Sequence, residues 1–294
     1  MSTMATVPGA AGSSNPDSAL WRLASRLCPV TGLRVNRDSE LLVRWNAVVG
    51  IVFLLVGVVA ALLLALTRWQ AVQLLAPTWF YRILTLHGLN MLIFFIIFFE
   101  MAILYFAGPI VLGSRQPAPK LAWTGFALML VGALLVDVIV LWGRADVLFT
   151  SYVPLKAHPL YYLGIILFAV GALIATLLFF AALVVARREK SYTGSLPLVS
   201  FGALTAAIIA VITLLHGAAI YIPTFLWSLG YMNVDPEVYR LMFWALGHAS
   251  QQINVAAMVS VWYLMGGLTI GAVVLNEKVS RWAFVLYVLF ISMA

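Results

Sequence analysis

The chain has 294 residues, 64% of them hydrophobic and only 9% charged, with a mean hydropathy of +1.06. A soluble domain of ordinary composition carries about 25% charged residues, so these values exclude a water-soluble globule and point to a polytopic protein of the lipid bilayer. The net charge of +7 is no nucleic-acid signal, because the basic residues fall in short clusters between apolar runs, as membrane topology requires.

Residues 1–40 form a polar N-terminal segment, expected to be disordered and cytoplasmic. Its first 20 residues are rich in Ser, Ala, Gly and Pro and lack the basic start and apolar core of a signal peptide. The single cysteine, Cys28, lies here, and one cysteine can form neither an internal disulfide nor a thiolate metal cluster.

A spanning helix needs about 20 mostly apolar residues. Six segments satisfy this, at 46–67, 83–107, 121–143, 160–186, 198–228 and 239–275. The predicted fold is an all-α transmembrane helical bundle. A seventh segment, 281–294, has 14 residues and is too short to span. The expectation is that the sequence is the N-terminal part of a longer protein; the alternative is a re-entrant or interfacial helix.

With the N-terminus inside, the cytoplasmic side holds Arg22, Arg26, Arg34, Arg37, Arg44, Arg115, Lys120, Arg187, Arg188, Lys190, Lys278 and Arg281. The outer side holds only Arg68, Arg82, Arg144, Lys156 and Arg240. The imbalance supports a cytoplasmic N-terminus. Helices two and six then both run from outside to inside. His87 lies about five residues into helix two and His248 about nine into helix six, so both fall in the outer part of the membrane.

These two histidines carry the chemistry. His87 stands in Leu84-Thr85-Leu86-His87-Gly88-Leu89-Asn90, and His248 in Gly247-His248-Ala249-Ser250-Gln251-Gln252. Polar groups at membrane depth are costly and mark functional sites, and neutral imidazole ligates heme iron, Cu and Zn. His248, Gln251, Gln252 and Val255 share one helix face, which must look at the bundle interior or at water. The bland alternative for the amides is hydrogen bonding between helices. Gly88 would let a flat macrocycle, or another helix, approach His87. Glu100 and Asp137 are intramembrane carboxyl groups, each a candidate proton carrier or a paired structural acid. His216 is a satisfied interior histidine or a supporting pocket residue, and His158 a solvated loop residue. No phosphate loop, dinucleotide fingerprint, His-Glu-x-x-His or nucleophile constellation occurs, and no Cys-x-x-Cys-His for c-type heme.

Five stretches in order resemble the catalytic subunit I of the heme-copper oxidase superfamily (the cytochrome c and quinol oxidase polypeptide I family), most closely its B-type branch. They are Leu84 to Asn90, Leu148 to Gly164, Phe225 to Gly230, Val234 to Arg240 with Phe243-Trp244, and Gly247-His248. The resemblance runs from about residue 40 to the end and implies a subunit I-like domain over 41–294. It implies a low-spin heme held by His87, a high-spin heme whose ligand lies beyond this sequence, and a non-heme metal (Cu or Fe) held in part by His248. It also implies an electron-donor subunit, cytochrome c or quinol as donor, and a prokaryotic inner membrane.

One departure from the family pattern matters. Oxygen-reducing members of the A and B branches carry a tyrosine four residues after the helix-six histidine, where this chain has Gln252. An amide is neither oxidised to a radical nor a proton donor as a phenol is. Pro236-Glu237-Val238-Tyr239 looks like the tyrosine motif but precedes helix six and follows Asp235. Nitric oxide reductases of the superfamily lack the tyrosine, so the expected activity is reduction of nitric oxide to nitrous oxide, with Gln251 and Gln252 donating hydrogen bonds at the catalytic site. The alternatives are an O2-reducing oxidase of the same superfamily and a transporter or channel without catalysis.

Overall fold

The computed structural model describes residues 25–29 and 34–291. A short antiparallel pair comes first, β1 (Ser25–Leu27) with β2 (Arg34–Asn36), in the register Ser25–Asn36, Arg26–Val35 and Leu27–Arg34. Seven helical segments follow among the described residues. They are α1 (Arg37–Arg68), α2 (Pro77–Ile110), α3 (Pro119–Leu141), α4 (Pro159–Arg188), α5 (Leu198–Ser228), α6 (Pro236–Ile270) and α7 (Glu277–Ile291). Helices α1 to α6 are each long and apolar enough to cross a membrane. The six expected spans are all present, in an integral multi-pass bundle. The first 24 residues of the expected disordered segment lie outside the described residues.

The differences from the sequence expectation lie at the ends and have local causes. Helix α1 starts at Arg37, nine residues before the apolar run, and part of the segment expected to be disordered is therefore regular structure. Asn36 caps it, its side chain accepting from Ser39 N at 3.1 Å, a cap worth about 1 kcal/mol. The turn that follows carries Arg37, Asp38 and Glu40, which hydropathy reads as loop. Arg26 donates to Glu40 at 2.5 Å, tying the hairpin to that turn. Helix α6 stops at Ile270, before residue 275, because Gly271 takes the left-handed conformation (φ 65°) and the Ala272 N–H bonds back to Gly266 O at 3.0 Å.

Helices α3 and α4 pack through glycines. A Cβ on Gly132 would sit 2.5 Å from the Gly164 carbonyl and 2.6 Å from Phe168 N, and Gly171 is equally tight against Gly125. Lipid tails are as apolar as leucine, so bundles in lipid gain their cohesion from such close van der Waals contact. We expect Gly132→Val to destabilise the bundle by about 1–3 kcal/mol, the usual range for overpacking, read as a lower melting temperature of the detergent-solubilised protein; an unchanged value would show that the contact gives way freely.

Helix α2 is not a regular α-helix. It widens into π turns at Asn90–Phe94 and Phe106–Ile110. Pro109 lies in the second, where it contributes no N–H. The first begins three residues after His87, and single π turns of this kind recur at functional sites. Phe94 of this turn, with Phe53, Phe98 and Phe168, makes an aromatic core joining α1, α2 and α4, with ring centroids 5.0–5.7 Å apart.

Candidate functional site

His87 is half-buried on α2, and its Nδ1 lies 2.9 Å from the Gly57 carbonyl of α1. A carbonyl only accepts, so Nδ1 carries the hydrogen and Nε2 keeps its lone pair. That is the tautomer a metal or heme iron requires, oriented by a backbone group on a neighbouring helix. A Cβ on Gly57 would lie 2.6 Å from Met91 Sδ, so the methionine side chain would have to shift to admit one.

Gly88 does not serve as expected. A Cβ there would meet Phe149 Cβ at 3.0 Å. The space over Gly88 is filled by the loop between α3 and α4, not left open for a macrocycle on that side. The same loop is fastened to α2 by Leu148 N–H donating to Thr85 Oγ1 at 2.9 Å, while Thr85 Oγ1 donates to Tyr81 O. It reaches α6 through Phe149 and Tyr152, which pack edge-on against Phe243. The stretch 148–164, one of the two most specific to the family pattern, therefore physically links the helix of His87 to that of His248.

One turn inward from His87, Asn90 donates its amide to Leu86 O and to Asp137 Oδ1 of α3, both at 2.9 Å. Asp137 is buried and thus paired with a neutral partner, while Asn90 Oδ1 is buried without one. The α3–α4 loop and the starts of α4 and α6 hold a cluster of buried hydroxyls. Ser151 Oγ and Tyr161 OH are 2.8 Å apart, Tyr239 OH donates to Thr150 O at 2.9 Å, and Ala157 N–H donates to Tyr162 OH at 3.2 Å. Tyr221 of α5 is buried as well. Sequence reading missed this cluster. Tyr161, Tyr162 and Tyr239 stand at helix starts, where tyrosine ordinarily marks the membrane interface, and nothing in their spacing tells that the loop buries them.

His248 is exposed on α6 and its ring lies 4.9 Å from that of Trp244, one turn before it. Gln251 is exposed and accepts from Asn254 Nδ2 of the same helix at 3.3 Å, and Gln252 is half-buried. Gln251 thus spends its oxygen within α6 and not across to another helix. His216 is half-buried, with Nδ1 2.9 Å from Ile212 O of its own helix. His158 is the N-cap of α4, accepting from Leu160 N at 3.3 Å, so it does structural work that its loop position concealed. Glu100 is buried, and its Oε1 has no hydrogen-bond partner.

The fit to hemes and a metal is unequal. His87 has the tautomer, the support and a free Nε2. His248 offers a single ligand, because among the described residues no three His, Cys, Asp or Glu side chains converge. Any metal there needs donors from outside this set.

Fold and site together define an intramembrane bundle with histidines on its second and sixth spans. Residues 41–294 match the family model of cytochrome C and quinol oxidase polypeptide I, and the chain belongs to that family. It is 28% identical over 216 residues to cytochrome c oxidase subunit 1 of Thermus thermophilus, which covers 71% of this chain and 37% of the relative. An uncharacterized protein of Aquifex aeolicus is 26% identical over 210 residues, 70% of this chain and 48% of its own length. The chain thus spans less than half of either relative. The cryo-EM structure of a heme-copper terminal oxidase dimer shares the fold with a TM-score of 0.80 at 23% identity, over 86% of this chain and 45% of that one.

Proposed function

We propose that this chain is the N-terminal part of the catalytic subunit of a respiratory membrane reductase that converts nitric oxide to nitrous oxide. The observation that carries the choice of substrate is Gln252, which stands where an oxygen-reducing relative would hold its tyrosine. Joining two nitric oxide molecules takes two electrons and two protons and releases water, and it breaks no O–O bond, so no phenol is needed.

When bound, the two hemes and the non-heme metal supply electrons and polarise the diatomic substrate. His87 holds the low-spin heme through Nε2, with Nδ1 fixed by Gly57. His248 gives one ligand to the metal, Cu or Fe, and Trp244 against its ring restricts how it turns. Gln252 donates an amide hydrogen bond to the substrate oxygen, and Gln251 completes the polar face. Asp137, paired with Asn90, and Glu100, unpaired in the inner half of α2, carry protons. His216, satisfied within its helix, supports the pocket wall. The electron donor is a separate subunit, cytochrome c or quinol. The protein sits in a prokaryotic inner membrane with its N-terminus in the cytoplasm, where the basic residues are concentrated.

The test is headspace analysis of the purified full-length enzyme supplied in turn with nitric oxide and O2. Nitrous oxide at one per two nitric oxide consumed supports the reading; O2 consumption without nitrous oxide overturns it in favour of the oxidase reading, to which the name of the Thermus relative leans. Gln252→Ala is expected to lower nitric oxide turnover about 10–100-fold, the range for losing one donor to a developing charge being up to about 10²–10³. Unchanged turnover would remove the glutamine from the mechanism. Glu100→Gln is expected to slow turnover with the optical spectra intact.

A further inference from the structure

The α1–α2, α3–α4 and α5–α6 connections share one end of the bundle, and the basic residues there are Arg68, Arg82, Arg144, Lys156 and Arg240. Three of these five gather around one cleft. It has a volume of about 520 Å³ and is walled by the α3–α4 loop, the start of α4 and the last residue of α5, with Gly143, Arg144, Asp146, Lys156, His158 and Ser228 in its lining. The His158 N–H donates to Arg144 O at 2.8 Å and draws the two ends of the loop together. Each of the three cations lies over an indole. Arg82 stands 4.8 Å from the ring centroid of Trp79, Arg144 5.3 Å from that of Trp142 and Lys156 5.0 Å from that of Trp227. Tryptophan concentrates at the headgroup level of a bilayer, so the cleft opens at that level.

The charges at the cleft do not cancel. Its carboxylate, Asp146, pairs with Arg82 Nε at 3.2 Å. Gly143 has a left-handed backbone (φ 76°), and the Arg82 guanidinium fills the space a Cβ would need there. Arg144 and Lys156 are exposed and, among the described residues, pair with no acid. His158 Nδ1 accepts from Leu160 N at 3.3 Å, so Nε2 carries the hydrogen and adds a donor. Basic residues beside tryptophan ordinarily anchor a span one at a time. Here two unpaired cations and an imidazole line one concavity, which suits an anion, and a guanidinium matches the paired oxygens of a phosphate.

Phosphate chemistry has two sources at this depth, a lipid headgroup and the solution. The neighbouring surface favours the lipid: Val138 and Leu141 in the last turn of α3, Trp142 after it and Leu160 at the start of α4 are all exposed apolar side chains. A zwitterionic headgroup would bring its own ammonium against the two cations, whereas an anionic one would not. We propose that the cleft binds the phosphate group of an anionic phospholipid, held by Arg144, Lys156 and His158, with its acyl chains along the exposed ends of α3 and α4. Binding there requires neither heme nor a gaseous substrate.

The test strips the full-length protein of lipid in detergent, titrates it with phosphatidylglycerol or phosphatidylcholine, and counts bound lipid by native mass spectrometry. The wild type is expected to retain phosphatidylglycerol in preference to phosphatidylcholine. Arg144→Gln and Lys156→Gln are each expected to weaken phosphatidylglycerol binding about fivefold, and the double substitution about 25-fold, the scale of one basic side chain at an anionic headgroup. Arg144→Lys keeps the charge and is expected to retain most of the affinity. Arg240→Gln, at the same end of the bundle but outside the cleft lining, is the control and is expected to bind as the wild type does. Equal retention of the two lipids by the wild type, or wild-type affinity in the double variant, would overturn the site. Displacement of the lipid by excess inorganic phosphate would assign the cleft to a soluble anion and overturn the lipid as its occupant. So would a double variant that keeps its lipid and instead loses the docking of an acidic donor protein.

Discussion

Replacing His87 by Ala is expected to abolish the low-spin heme band of the full-length protein. The imidazole presents Nε2 with its lone pair because the Gly57 carbonyl, 2.9 Å from Nδ1, holds the hydrogen on the other nitrogen. No other histidine on α2 could take its place. The cost to the fold is modest by comparison. A lost neutral hydrogen bond is worth about 1 kcal/mol, and His87 is only half-buried. The variant should therefore remain in the membrane with its helices intact, and imidazole added from solution should recover part of the band. Reduced-minus-oxidised optical spectra read the result; a wild-type band in His87→Ala would assign the heme ligand elsewhere.

Replacing His248 by Ala is expected to deplete the non-heme metal and stop turnover while leaving the His87-dependent band in place. His248 is exposed in this chain and packs on Trp244 of its own helix, so truncation leaves no buried hole in the bundle. On the proposed reading the loss is one ligand of a site that needs donors from outside the described residues, and a metal site missing a ligand typically loses most of its affinity. Metal analysis of purified His248→Ala against wild type decides it. Full metal content, or simultaneous loss of the low-spin band, would contradict the separate assignment of the two histidines.

Much of the fold was legible because membrane spans announce themselves by length and composition. The six apolar runs became α1 to α6, and 198–228 matched α5 residue for residue. The charged start of α1 and the left-handed Gly271 were lost, since hydropathy records neither a capping side chain nor a backbone angle. Of the site, His87 stood out as an imidazole in an apolar run, but its partner is the carbonyl of Gly57, 30 residues away, and no sequence pattern encodes a backbone acceptor. Asp137 was visible as an isolated charge; its bond to Asn90 was not, because the partner lies 47 residues away on another helix. The role of Gly88 was misread for the same reason, the occupant of the space over it being Phe149 from a distant loop. The tyrosine cluster needed the loop 148–157 to be folded back between α4, α5 and α6 before it existed at all.

The reading as a heme–metal reductase, as against a transporter or channel lined by the same polar residues, turns on cofactor content. The most direct measurement is the heme and metal stoichiometry of the purified full-length protein, by pyridine hemochrome assay and elemental analysis. The account predicts two hemes and one non-heme Cu or Fe per subunit, one heme being low-spin and lost with His87. A stable, folded protein that contains no heme would contradict it and leave His87 and His248 as polar residues of a transport path.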